Sequence, residues 1–262
     1  MKPEETNLIE FIVCLLAGVG AGLGTGFAGL SAAAVISPML ITLLGVPAYQ
    51  AVGIALASDV LASAVSAYTY KRNNNLDVRN GLIMLSSVLV FTTVGSYVAS
   101  LVPNTTMGGF SVFMTMLLGV KFIIKPVMTT KELQAQKSAG TRAVQSVICG
   151  SIIGFICGFI GAGGGMMMLL VLTSVLGYEL KTAVGTSVFV MTFTALTGAV
   201  SHMVIDGLPD LKLLAMCVAF TLIFARVGAR FANKAEPKLL NRLTGVILVI
   251  ISAAMLIISR VK

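Results

Sequence analysis

Charge is what this chain has least of: 11% of its 262 residues are Asp, Glu, Lys or Arg, against 57% hydrophobic, and the mean hydropathy is +0.99. An ordinary soluble domain carries about 25% charged residues, so a water-soluble globule is excluded. Tryptophan is absent and histidine occurs once, as His202. An intramembrane protease would need a Ser–His pair or HExxH-like ligands, and His202 sits at the edge of an apolar stretch without either. A phosphate-cradling GxxxxGK[ST] loop is missing, as is any polar stretch long enough for a nucleotide-binding domain. The four cysteines, Cys14, Cys149, Cys157 and Cys217, lie inside apolar stretches without the spacing of a metal site or a secreted disulfide framework, and read as small packing residues. The fourteen methionines, Met166-Met167-Met168 among them, read as apolar filler, because a soft-metal path wants Met or Cys at helical spacing with a partner His. Neither cofactor nor metal is expected. Glu4, Glu5 and Glu10 precede the first apolar run where a cleaved signal would be basic, so no targeting segment is expected.

What is present is a series of apolar stretches of about 20 residues, each long enough to cross a bilayer as a helix. Open sheet edges do not survive in hydrocarbon, so the spans are helical. Charges gather at Lys71–Arg79, Lys121–Arg142, His202–Lys212 and Arg226–Arg242. The net charge of +8 therefore lies in short connections rather than on a folded face, which points to membrane topology and away from a nucleic-acid partner. Single spans are expected at 48–70, 80–101, 107–125, 181–203, 210–232 and 239–260.

Sliding the sequence by 132 positions lays glycine on glycine: Gly18, Gly22, Gly26 and Gly29 meet Gly150, Gly154, Gly158 and Gly161. Leu44-Gly45 meets Leu176-Gly177, and Ala51-Val52-Gly53 meets Ala183-Val184-Gly185. One inserted residue later, Asp77 meets Asp210 and Val94-Gly95 meets Val227-Gly228. Placing the Lys/Arg-rich loops 71–79, 126–141 and 226–242 in the cytoplasm puts 71–79 inside but its repeat partner 203–212 outside, so the halves are inverted copies. Stretches 11–47 and 143–176 must then cross an even number of times, as two tight spans or as a hairpin entering and leaving on one face. Both termini lie outside, although Arg260 and Lys262 disfavour this for the C-terminus.

The expected fold is thus an all-α polytopic membrane protein of two inverted-topology repeats. Each repeat has a glycine-broken helical hairpin plus three spanning helices, roughly eight to ten membrane helices in all. The first repeat occupies 1–125, a cytoplasmic linker 126–141 and the second repeat 142–262.

Gly161-Ala162-Gly163-Gly164-Gly165, then Leu176-Gly177, then Ala183-Val184-Gly185-Thr186-Ser187, resembles the signature of the TauE/SafE sulfite-exporter family of anion permeases. The basic loop Tyr70-Lys71-Arg72-Asn73 through Leu76-Asp77-Val78-Arg79 is similar to that family's loop after the third crossing, and the likeness spans nearly the whole chain. The first half departs from the pattern, reading Gly29-Leu30-Ser31-Ala32-Ala33 at its glycine run and Val52-Gly53-Ile54-Ala55 where the second has Thr186-Ser187; Pro38 falls where the family has proline. The resemblance implies export of sulfite, a sulfonate such as sulfoacetate, or another small organic anion.

Inverted-repeat transporters bind cargo near the midplane, where interrupted helices turn free N–H groups and a positive dipole end toward an anion. The run Gly161, Gly163, Gly164 and Gly165, with Thr186 and Ser187, is the leading candidate, and Gly29 and Ser31 with Ser58 form its counterpart. Spacing-of-four ladders such as Gly18/Gly22/Gly26 read as close helix packing instead. Asp59 falls in the middle of the 48–70 span, where a carboxylate is costly unless neutralised, paired or facing water; it is the candidate for proton coupling, with a structural hydrogen bond as the alternative. Met191 stands opposite it in the repeat. Arg226 and Arg230 share one helix face and are candidates for an anion-attracting vestibule or for snorkelling to headgroups, and Lys121 reads as snorkelling. His202 reads as an interfacial residue.

These features point to a secondary transporter of a small anion, with an anion channel of the same fold as the alternative. An enzyme or a cargo-free membrane scaffold fits them less well. Direction of transport rests on the family resemblance alone.

Overall fold

In a computed structural model, residues 3–103, 139–160 and 164–236 are described, together with single positions within 113–124 and 238–257. Every regular element among the described residues is helical. The first apolar stretch forms α1, Pro3–Ala28, and breaks at Gly29, whose φ of 63° lies in the left-handed region. The chain restarts as α2, Ala33–Leu44, and after a short turn enters α3, Ala48–Arg72. The Asn73–Asp77 loop leads to α4, Val78–Ser100, whose first turn Asp77 caps through the Asn80 N–H.

The second half repeats the plan. Its long arm is α5, Ala139–Ile160; its short arm is α6, Gly164–Leu170, continued by a wider π turn over Val171–Val175. Next come α7, Leu180–Asp206, and α8, Leu211–Ala232, the latter capped by Asp210. The spans expected at 48–70, 80–101, 181–203 and 210–232 are all helices within a few residues of their expected bounds; those at 107–125 and 239–260 lie outside the described residues apart from isolated helical positions. Helices α1 (from Asn7), α3, α4, α7 and α8 are each long and apolar enough to cross a membrane, and the protein is an all-α, multi-pass membrane protein.

Stretches 11–47 and 143–176 are hairpins with unequal arms, rather than two full spans each. At about 1.5 Å per residue, the 12 residues of α2 cover about 18 Å, well short of a ~30 Å hydrocarbon core. Both short arms end in the same way. Gly45 and Gly177 take φ of 69° and 75°, which a glycine adopts without the clash a Cβ would bring. The residue after each glycine bonds back over the last turn, Val46 N–H to Leu40 O at 3.2 Å and Tyr178 N–H to Leu172 O at 2.8 Å. These two bonds are 132 residues apart.

The glycine ladders are the contact surfaces. Along α1, a Cβ on Gly22 would lie 2.5 Å from Thr221 O and 2.7 Å from Ala225 N, and one on Gly26 would lie 2.5 Å from Ala229 N. As the number rises on α1 it rises on α8, so the two helices run parallel. The same holds where Gly150, Gly154 and Gly158 of α5 meet Ser87, Val88 and Thr92 of α4. Each long arm therefore packs backbone to backbone on the last described span of the other half, the geometry small residues allow in lipid. Between these pairs, α3 and α7 cross antiparallel: Gly53 faces His202, Gly198 faces Leu56 and Gly185 faces Tyr70.

A Gly22→Ala substitution should disturb this contact, because the added carbon meets backbone rather than a side chain that can move. Circular-dichroism melting in detergent should show a loss of about 1–3 kcal/mol, the range for overpacking. Gly140→Ala on α5, where nothing lies within 4 Å of the added carbon, should melt as the parent does.

Candidate functional site

The short arms bring the candidate residues together. Asp59 sits at the middle of α3 and is wholly buried. Ser63, one turn on, donates its hydroxyl to Oδ1 at 2.7 Å, and Ser31, in the break between α1 and α2, donates to Oδ2 at 2.8 Å. The Ala32 N–H donates to the same carboxyl, and the Ala33 N–H reaches Ser31 Oγ at 3.3 Å. The carboxylate thus stands at the first turn of α2, against its positive dipole end and with its oxygens satisfied. This answers the difficulty of a mid-span acid without a counter-cation.

The second break closes on the first. A Cβ on Gly165, at the start of α6, would strike Gly29 O and lie 2.8 Å from Ser31 N; one on Gly29 would lie 2.5 Å from Ser187 Oγ on α7. Gly29, Ser31, Gly165, Ser187 and Asp59 therefore form one cluster where the two hairpin tips meet. A Cβ on Gly164 would lie 2.9 Å from Cys157 Sγ and 3.7 Å from Met191 Sδ, so the second tip has a thioether where the first has a carboxylate. Gly161 and Gly163 lie outside the described residues.

Four expected residues stand elsewhere. Thr186 is one residue from Ser187 and so about 100° round the helix; its hydroxyl accepts from the Asp77 N–H at 3.0 Å, joining α7 to the 73–77 loop. Ser58 turns its hydroxyl back to Ile54 O at 2.8 Å, within its own helix. Arg226 and Arg230 line a cleft with Arg72 and Tyr68. Residues 68 and 72 lie about half a turn round α3 from 59 at 3.6 residues per turn, so this cleft opens on the face away from Asp59 and is no vestibule to the cluster.

The groups that fasten the long arms are not among the residues expected at the site. Tyr70 donates its hydroxyl to Gly26 O at 3.1 Å, at the end of α1. At the related positions, 132 residues on, His202 Nε2 lies 3.1 Å from Gly158 O at the end of α5. The other ring nitrogen, Nδ1, lies 3.1 Å from Tyr49 O, and the Tyr49 ring stacks on the imidazole with centroids 4.0 Å apart. His202 is only 2% exposed, so the interfacial reading is corrected: its ring is held between backbone carbonyls of two other helices. A signal for this exists in the repeat, since Tyr70 aligns with His202 and Gly26 with Gly158. Along α3, Asp59, Ser63, Ser66 and Tyr70 share one face at helical spacing, and the buried Ser66 hydroxyl has no partner among the described residues.

Asp77 joins the halves at the opposite end of α3 from Tyr49. Burial pushes its carboxyl up, but donation from the Asn80 side chain at 2.6 Å, the Asn80 N–H, the Tyr178 hydroxyl at 2.8 Å and the Arg79 N–H outweighs this and holds it below its ordinary value.

The model of the family described as sulfite exporter TauE/SafE matches residues 14–255. The chain is 26% identical over 212 residues to the probable membrane transporter protein YdhB of Bacillus subtilis, covering 81% of this chain and 86% of that one. It is 24% identical to the probable membrane transporter protein YunE of the same organism, over 95% of this chain and 98% of that one. A probable membrane transporter protein of Methanocaldococcus jannaschii is 25% identical, over 95% and 94% of the two lengths. No solved structure matches the chain.

Asp77→Ala tests the loop junction. A carboxyl with a depressed folded-state pKa stabilises the fold above its unfolded value, about 4, and loses that contribution as pH falls through the folded value. The parent should melt above Asp77→Ala at pH 7, and the gap should close as the pH drops below about 4. A gap that is independent of pH would mean the carboxylate charge plays no part.

Proposed function

Since this chain belongs to the sulfite exporter TauE/SafE family, we propose that it is a secondary transporter exporting a small sulfur-containing or organic anion, such as sulfite, sulfoacetate or another sulfonate. It works by alternating access in the inner (plasma) membrane, and Asp59 couples the flux to protons. The observation that carries this reading is the buried Asp59 carboxylate at the meeting point of two broken hairpins, held by donors that an oxyanion would also use.

Anion and carboxylate compete for the same place. Two like charges about 4 Å apart repel by about 4 kcal/mol at an effective dielectric of 20, so a second anion enters this cluster once Asp59 is protonated. Protonation loosens the hold of Asp59 on Ser31 Oγ and the Ala32 N–H, which then turn to the incoming oxyanion with Ser187 beside them. Gly164 and Gly165 let the second tip approach as closely as a bound anion requires. The face carrying Ser63, Ser66 and Tyr70 supplies hydroxyls along which a proton reaches or leaves Asp59, and the unpartnered Ser66 hydroxyl supports this route.

Two inverted halves, 1–125 and 142–262 about a cytoplasmic 126–141 linker, support alternating access. The recurring Leu40 and Leu172 turn bonds, the Tyr70 and His202 fastenings and the two parallel helix pairs are what a duplicated scaffold would contain. With the basic loops inside, both termini lie outside.

Purified protein in proteoliposomes should carry sulfite or sulfoacetate in a saturable, gradient-dependent manner, rising toward acid pH on the side from which the anion binds. Asp59→Asn, a permanently neutral mimic, should flatten that pH profile; an unaltered profile would leave Asp59 structural. Discrete unitary conductance would favour a channel over a transporter, and a melting shift given only by cations would overturn the anion.

A further inference from the structure

Between the final turns of α3 and α8 lies a cleft of about 520 Å³ lined by Arg72, Arg226 and Arg230, with Val65, Tyr68 and Asn73. None of the three guanidiniums is paired with a carboxylate among the described residues. Three like charges facing one space repel one another, and an anion between them removes that repulsion. Helix-dipole compensation explains a cation in a last turn, but Arg226 lies six residues before the end of α8, about 9 Å along the helix. A guanidinium at that depth must snorkel or find an anion.

The lining toward the bilayer centre says which kind of anion fits. On α3 the face above Arg72 carries the exposed Tyr68 and Leu61 with the half-buried Val65 between them; on α8 it carries the exposed Val227 and Ile223. A free oxyanion uses only the guanidinium end, whereas an amphiphile uses both the charged end and this apolar continuation. The duplicated scaffold does not itself require the charges. At the related positions of the other half stand Val204 for Arg72, Thr93 for Arg226 and Tyr97 for Arg230. The cationic cleft is thus a feature of one end of the molecule, the end with the basic loops, where anionic headgroups attract cations.

We propose that this cleft is a binding site for the phosphate of an anionic phospholipid, with an acyl chain laid along Tyr68, Val65 and Leu61. It is separate from the Asp59 cluster, since it opens on the other face of α3. Titrating detergent-purified protein with phosphatidylglycerol, phosphatidylcholine or inorganic phosphate, and counting bound molecules by native mass spectrometry, tests the site.

Phosphatidylglycerol should bind the parent protein in preference to phosphatidylcholine, and millimolar inorganic phosphate should not displace it. Arg226→Gln with Arg230→Gln should weaken that binding roughly 25-fold, at about fivefold per charge. Arg79→Gln, which removes a cation outside the cleft, should bind as the parent does. If the double variant is not monodisperse, Arg72→Gln alone should weaken binding about fivefold. Equal binding of phosphatidylglycerol by parent and variants, or equal binding of phosphatidylcholine, would overturn the site; displacement by inorganic phosphate would overturn the lipid and leave a soluble oxyanion.

Discussion

A carboxylate at the centre of a membrane span cannot be left to lipid, and the way Asp59 is accommodated organises much of this bundle. No cation among the described residues neutralises it. It takes hydroxyls from Ser31 and Ser63 and an N–H from Ala32, and that set exists only because α1 stops at Gly29 and α2 begins at mid-depth. Had the first hairpin been two full spans, the first turn of α2 would have been at a membrane surface, about half a bilayer away from Asp59. The short arm is therefore the structural counterpart of the buried acid, and each makes the other tolerable.

Holding a hairpin tip at mid-depth requires that its long arm be fixed from outside the hairpin. Glycines at every fourth position of α1 and α5 do this by bringing backbones together with α8 and α4. In lipid there is no hydrophobic effect to press helices together, so close van der Waals contact and weak polar contacts along such seams carry the association. Tyr70 and His202 then clamp the last turns of the long arms to α3 and α7, just before each break. Because α1 rests on a helix of the second half and α5 on a helix of the first, displacement of one tip is coupled to helices of both halves.

Much of this was legible in the sequence, and what was not has a definite cause. Hydropathy and loop charge placed α3, α4, α7 and α8 to within a few residues, since chain length against bilayer thickness is a one-dimensional problem. The 132-residue register paired Leu44-Gly45 with Leu176-Gly177, and the two pairs make the same turn. Helix faces were harder. Thr186 and Ser187 are neighbours in sequence, yet one serves the Asp77 loop and the other the hairpin tips, a difference decided by rotation about α7. Arg226 and Arg230 were rightly placed on one face, but which side of α3 that face meets depends on how α8 packs. His202 looked interfacial because its partners, Gly158 and Tyr49, are distant in sequence.

The places where the halves part company carry the chemistry. Glycine seams, left-handed turns and long-arm fastenings recur in both halves because the scaffold needs them twice. Asp59 against Met191, Tyr70 against His202, and three arginines against Val204, Thr93 and Tyr97 do not recur. A second carboxylate in place of Met191 would put two charges into one cluster, at an electrostatic cost of several kcal/mol, whereas a carboxylate facing a thioether carries one charge at most. Likewise a titratable ring fastens one long arm and a phenol the other, and a cationic cleft marks one end only. The positions that the halves share hold the helices together, and the few that differ set where a carboxylate, an imidazole and the arginines stand.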